Sequence, residues 1–240
     1  MSLSKGIKEQ IISYCMRDLP DNSWYENQFD FIKDKSLRKR LATEFKATRF
    51  AYKLYEGIQA TEENMLFEIR HQIFAYASIY EAIIDYLLKE YYSDTNEFFE
   101  LTHHNIDKNK TSKSRKKCFR RISFADKCET AKKFWLIHAY NKNGVVVDFP
   151  KELIQIYLFR NSIHILAEER NNIKFELELS KKAYFRMKPF INQIKEQLKK
   201  DNKIWRICKN FLKHFMREII LAHKYFHSVL IQLFLYPYDR

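Results

Sequence analysis

From Thr61 to Tyr92, apolar residues return at every third or fourth position: Leu66, Ile69, Ile73, Ala77, Tyr80, Ile84, Leu87 and Tyr91. That recurrence marks a helix buried along one side. Thr61, Glu62 and Glu63 add a cap residue and two acids at its start, where negative charge suits the helix dipole. A helix of this length needs other elements to cover its apolar stripe from end to end. The cover is expected to be more helix. The 240 residues include only Gly 3 and Pro 4, too few for the tight turns of a sandwich or an α/β sheet. The expected fold class is all-α, an up-and-down helical bundle with a ring-rich core, since the chain carries Tyr 15 and Phe 20.

The other segments fit that plan. Residues 3–17 read as a short helix, broken by Leu19-Pro20-Asp21-Asn22-Ser23, with a second element from Trp24 to Ile32. Leu37 to Ile58 reads as an amphipathic helix with a solvated basic face. Residues 93–117 are polar and read as loop. Ser123 to Ala139 is expected to be helical, with Phe124, Cys128, Ala131, Phe134, Trp135 and Ile137 on its apolar side. Asn141 to Gly144 signals a turn, and Val145 to Val147 an extended piece. Ile173 to Leu179 alternates like a short strand, so a small β-hairpin is expected there. Ser180 to Leu198 is expected to be one helix kinked at Pro189. Asp201-Asn202 breaks it, and a last helix or helix pair runs from Ile204 to Tyr236. No repeat or linker is visible. Residues 1–240 therefore read as one domain with a core at about 60–200 and helical additions at 1–59 and 201–240.

Phe149 to Ile165 reads as a second buried helix. Asp148 can cap it, and Pro150 suits the first turn, which lacks intrahelical N–H partners. Leu153, Ile156, Tyr157 and Ile163 recur at helical spacing. Arg160 falls on the same stripe, and His164 follows four residues later. On a continuous helix the two would be offset by only about 40°. An unpaired buried cation costs about 3–5 kcal/mol, so Arg160 needs a partner or a task. Glu81 lies on or beside the core face of the 61–92 helix and is the natural counterion if the two helices pack antiparallel. Asp85, one turn on, reads as an exposed acid.

Leu158-Phe159-Arg160-Asn161-Ser162-Ile163-His164-Ile165 resembles the Arg-Asn-x-x-His signature of HEPN-superfamily helical domains. Tyr76 to Leu88, with its acid at Glu81, resembles that family's long second helix. The alternating Ile173 to Leu179, followed by a new helix, resembles its downstream flank. The likeness covers roughly residues 60–200. It implies a HEPN-like bundle, and many members of that family are metal-independent ribonucleases. By that resemblance His164 would be general base or acid on the ribose 2′-OH or the leaving oxygen, and Arg160 would stabilise charge on the phosphorane. Asn161 would position phosphate or Arg160, and Glu81 would hold Arg160. The products would be a 2′,3′-cyclic phosphate and a 5′-hydroxyl. The resemblance also implies a homodimer whose two motifs line one cleft, and a setting in toxin–antitoxin, abortive-infection or other anti-phage defence, with an antitoxin or defence protein as a further partner. One departure is plain: about four to six residues usually separate Arg from His, and here only Asn161, Ser162 and Ile163 intervene. The shorter spacing favours an alternative, a non-catalytic HEPN-like module that binds a nucleotide, RNA or a protein partner.

The formal charge is +13, which favours an anionic partner such as RNA. Lys108, Lys110, Lys113, Arg115, Lys116, Lys117, Arg120 and Arg121 stand against the single acid Asp107 in one polar stretch. From Lys113 to Arg121 this reads either as an RNA-binding arm that contacts phosphates without reading bases or as a solubilising loop. Cys15, Cys118, Cys128 and Cys208 form no C-x-x-C, and no apolar leader opens the chain, which points to a reducing cytoplasm. Ile219 to Leu235 is interrupted by polar residues and makes a poor membrane span. His223 and His227 lack a third ligand, and His103-His104 diverge, so no metal site is expected. Too few glycines remain for a Walker loop, a Rossmann pattern or a nucleophile elbow, and no cofactor is expected.

Overall fold

A computed structural model of the chain describes residues 2–103, 119, 121–163 and 169–203. The chain divides into two units, Met1–Lys195 and Glu196–Arg240. The architecture below is that of the first. Its elements are α1 (Lys5–Arg17), α2 (Asn22–Gln28), α3 (Lys35–Gly57), α4 (Glu62–Tyr91), α5 (Asn96–His103), α6 (Phe124–Lys133), β1 (Tyr140–Lys142), β2 (Val145–Val147), α7 (Phe149–Asn161), α8 (Leu177–Phe185) and α9 (Met187–Lys200), the last running into the second unit. The protein is mostly helical, as its periodicity requires. No described helix is long and apolar enough to cross a membrane.

Helix α4 is the central element, and α3, α6, α7 and α8 all pack on it. Its stripe is buried as expected: Ile69, Ile73, Ala77, Tyr80, Ile84 and Leu87 are each at most 4 % exposed. Tyr80 meets Phe190 edge-on at 4.9 Å, and its hydroxyl donates to the Ala183 carbonyl at 2.7 Å. A buried phenol needs such an acceptor, and here it ties α4 to α8.

Four helix starts follow side-chain chemistry, whereas Thr61, the expected cap of α4, makes no side-chain cap bond. The Asp21 carboxylate accepts from the Trp24 amide, Asp34 from Ser36 and Leu37, Ser123 from Asp126, and Asp148 from Lys151. Helix ends are less conventional. α3 and α6 close in Schellman motifs without glycine. Ala60 N–H reaches the Tyr55 carbonyl and Leu136 N–H the Ala131 carbonyl, with Gln59 and Trp135 at positive φ of 51° and 57°. Gly57 serves packing instead: a Cβ there would lie 2.6 Å from the Tyr14 ring, so its absence lets α1 approach α3.

Four expectations need correction. The hairpin lies before the motif helix. It pairs Tyr140 with Val147 and Lys142 with Val145 around a turn at Asn143 and Gly144. Residues 173–176 have no regular structure, and Leu177 already begins α8, because Phe175 is drawn into a cluster with Met65, Ile69 and Ile73 rather than into a ladder. Residues 96–103 form α5, where a loop was expected. α6 stops at Lys133, short of Ala139, and the helix expected across 180–198 is interrupted at Arg186, so Pro189 falls harmlessly in the first turn of α9.

Candidate functional site

Helix α7 begins as its sequence dictates: Asp148 caps it, Pro150 sits in its first turn, and Leu153 and Ile156 are buried. It ends earlier than the expected Ile165. Asn161 is its last residue, Ser162 is the cap, and the Ser162 hydroxyl folds back onto the Leu158 carbonyl at 3.0 Å. Asn171 Nδ2 donates to that same hydroxyl at 3.0 Å. The continuous helix that would set His164 one turn beyond Arg160 is therefore not formed. His164 itself lies outside the described residues.

Arg160 and Glu81 do meet. Arg160 Nη1 donates to Glu81 Oε2 at 2.8 Å, across the contact between α7 and α4. The side chains are 23 % and 27 % exposed, so the pair is half-buried rather than sealed. Tyr157, one turn before Arg160, donates its hydroxyl to the other carboxylate oxygen at 3.1 Å. Burial and the Glu81 charge both push the Tyr157 hydroxyl above its ordinary pKa, so it remains a neutral donor. The guanidinium also lies 5.2 Å from the Phe74 ring and 5.1 Å from the Tyr157 ring. A flat cation between two rings and a carboxylate has little freedom to rotate. Being in the last turn of α7, it also suits the negative end of the helix. Asn161 is exposed and makes no described contact with Arg160.

Sequence reasoning missed Tyr157 and Phe74 as parts of this arrangement. Their spacing carried the signal, because Tyr157 is three residues before Arg160 and Phe74 seven before Glu81, both on shared helix faces. It also misjudged Asp85. That acid is 24 % exposed and lies 2.8 Å from Lys127, a lysine only 3 % exposed, with Lys89 at 3.6 Å. The contact is ionic rather than an aligned hydrogen bond. Two acids one turn apart on α4 thus receive cations from two different helices, α7 and α6.

Of the residues expected to contact RNA, Arg121 is exposed. Lys113, Arg115, Lys116, Lys117 and Arg120 lie outside the described residues, as do His104, Cys118, Cys208, His223 and His227. Cys15 and Cys128 are buried free thiols, and burial pushes both thiol pKa values up, which leaves them unreactive. Among the described residues no cluster of three or more His, Cys, Asp or Glu side chains could hold a metal.

No family model, curated protein or solved structure matches this chain.

Proposed function

We propose that this protein is a HEPN-like, metal-independent endoribonuclease of a toxin–antitoxin or anti-phage defence system, acting in the cytoplasm on RNA. The observation that supports the reading is the Glu81–Arg160 pair, which holds a guanidinium half-exposed and pre-oriented, in a chain of formal charge +13. A fixed guanidinium is the group suited to a phosphorane, because its forked N–H edge matches two equatorial oxygens and needs no reorganisation as charge develops. His164, four residues on in sequence, supplies the proton chemistry with a free pKa of about 6.5. Attack of the 2′-oxygen on the adjacent phosphorus expels the 5′-oxygen, leaving a 2′,3′-cyclic phosphate and a 5′-hydroxyl. The basic arm through Lys113, Arg115, Lys116, Lys117, Arg120 and Arg121 holds the strand by its phosphates. A homodimer would bring two such motifs together.

A second reading is favoured by one observation: α7 stops before His164, while Arg160 is already engaged by Glu81, Tyr157 and Phe74. In that reading the network fixes helix packing in a non-catalytic module that binds RNA, a nucleotide or a protein partner. Incubating the protein with structured RNA in EDTA, beside His164→Ala and Arg160→Lys, separates the two. Cleavage by the parent alone, with cyclic-phosphate termini, supports the nuclease. Equal cleavage by all three identifies a contaminant, and none across several RNAs favours the binding module.

A further inference from the structure

Where α3 turns into α4, beside the start of α8, lies a cavity of about 520 Å³ that shares no lining residue with the Glu81–Arg160 arrangement. Its floor is apolar: Met65, Ile69 and Phe175 are each at most 9 % exposed. Tyr52 and Tyr55, half-buried against the same cluster, supply two further rings. The volume falls within the range of small-molecule sites and suits one ring carrying a short chain.

In a chain of formal charge +13, the charged groups lining this cavity are both acids, Glu56 and Glu176, with no lysine or arginine among the described lining residues. Glu56 is met from outside the cavity, by Lys53 at 2.7 Å and the Tyr14 hydroxyl at 3.2 Å. Glu176 is not met. It stands at the cap position of α8, yet its side chain makes no cap bond, and among the described residues it has no ion pair. α3 also ends here without a basic residue in its last turn, so its negative end is not offset by a side chain of that turn. The positive ends of α4 and α8 are faced by acids of their own, Glu63 and Glu178. The nearby cations are engaged elsewhere: Arg70 lies 5.4 Å from the Phe175 ring, outside the lining, and Lys181 pairs with Glu178 at 2.8 Å. One uncompensated carboxylate thus stands over three rings and an apolar floor.

We propose that this cavity binds a small arylalkyl ammonium ion, its ring among Tyr52, Tyr55 and Phe175 and its ammonium at Glu176 and the end of α3. A protonated amine supplies the N–H donors that a carboxylate accepts, and the faces of the rings attract the same charge. A neutral ligand of the same shape gains only the apolar floor, and an anion is repelled by Glu176. The site stands independently of any role for Arg160 and of the nuclease reading.

Calorimetric titration of the full chain with phenethylamine at low salt and neutral pH tests this. The amine is expected to bind about fivefold more tightly than phenethyl alcohol, which has the same ring and chain without the charge, and more tightly still than phenylacetate. Glu176→Gln brings the amine down to the affinity of the alcohol and leaves the alcohol unchanged. Glu176→Lys reverses the order, so that phenylacetate binds better than the amine. Both variants alter an exposed side chain that makes no cap bond, so neither should threaten folding, and thermal melts check that. Tyr52→Leu weakens amine and alcohol alike, because it removes a ring and keeps the charge. Arg160→Gln leaves amine affinity unchanged, which separates this site from the proposed nuclease centre. Absence of amine binding at millimolar concentration, equal affinity for amine and alcohol, or amine binding undiminished in Glu176→Lys overturns the proposal.

Discussion

Glu81 accepts hydrogen bonds on both carboxylate oxygens, from Arg160 on one and Tyr157 on the other, so a single acid of α4 fixes two side chains one turn apart on α7. With both members of the ion pair about a quarter exposed, solvent screens it and its stabilising effect is small. Its consequence is positional. A double-mutant cycle of Glu81→Gln and Arg160→Gln is expected to give a coupling of about 1 kcal/mol in urea denaturation. On the proposed nuclease reading, Arg160→Lys lowers kcat about a hundredfold. Glu81→Gln lowers kcat less and leaves KM unchanged, because it loosens the guanidinium without touching RNA. A Glu81→Gln effect carried wholly in KM would contradict that role.

The neighbouring pair behaves differently because Lys127 is almost fully buried. Asp85→Ala strands that ammonium and is expected to destabilise by about 3 kcal/mol. Lys127→Met removes the charge while keeping the packing, and should cost clearly less, because Asp85 retains Lys89 and some solvent. Equilibrium unfolding of both variants gives the order, and the reverse order would mean that Lys127 is not sealed.

Glu152 joins α7 to α8. It takes both Nε and Nη2 of Arg186, the latter at 3.1 Å, and Lys182 at 3.0 Å. Burial pushes its pKa up, but hydrogen bonds and charge from Arg186 and Lys182 outweigh burial and hold it below the ordinary glutamate range. A depressed carboxyl stabilises the fold above its unfolded pKa of about 4.3, and that contribution fades as pH falls through the lower folded value. Glu152→Gln should therefore cost about 2 kcal/mol at pH 7 and progressively less below about pH 4, measured as the difference between parent and variant urea midpoints.

Trp135 occupies a left-handed position at the end of α6 while its ring is 63 % exposed. A bulky residue there is strained by about 1–2 kcal/mol, of which glycine relieves part and loses part to chain entropy. Trp135→Gly is expected to raise stability by about 0.5–1 kcal/mol, seen as a higher melting temperature.

Gly57 gives the opposite sign. Alanine normally favours a helix by about 1 kcal/mol, yet here its Cβ would strike the Tyr14 ring and cost Tyr14 its hydrogen bond to Glu56 at 3.2 Å. Gly57→Ala should destabilise the parent by about 1 kcal/mol and stabilise a Tyr14→Ala background by a similar amount. An equal effect in both backgrounds would show that Tyr14 moves aside freely.

The sequence by itself determined the helical class, the buried stripe of α4, the capped start of α7 and the Glu81–Arg160 encounter. All of these follow from period, cap chemistry and the need of a half-buried cation for an acid. Tertiary structure decided the rest. It placed the Asp85–Lys127 pair, because a lysine on α6 shows no local sign of which helix will bury it. It drew Phe175 into an apolar cluster and so turned an alternating segment into coil and helix. It ended α7 at Asn161, where Ser162 finds Asn171 nine residues further on. Periodicity reports which face of a helix is apolar, whereas the point at which the helix yields to another partner depends on contacts distant in sequence.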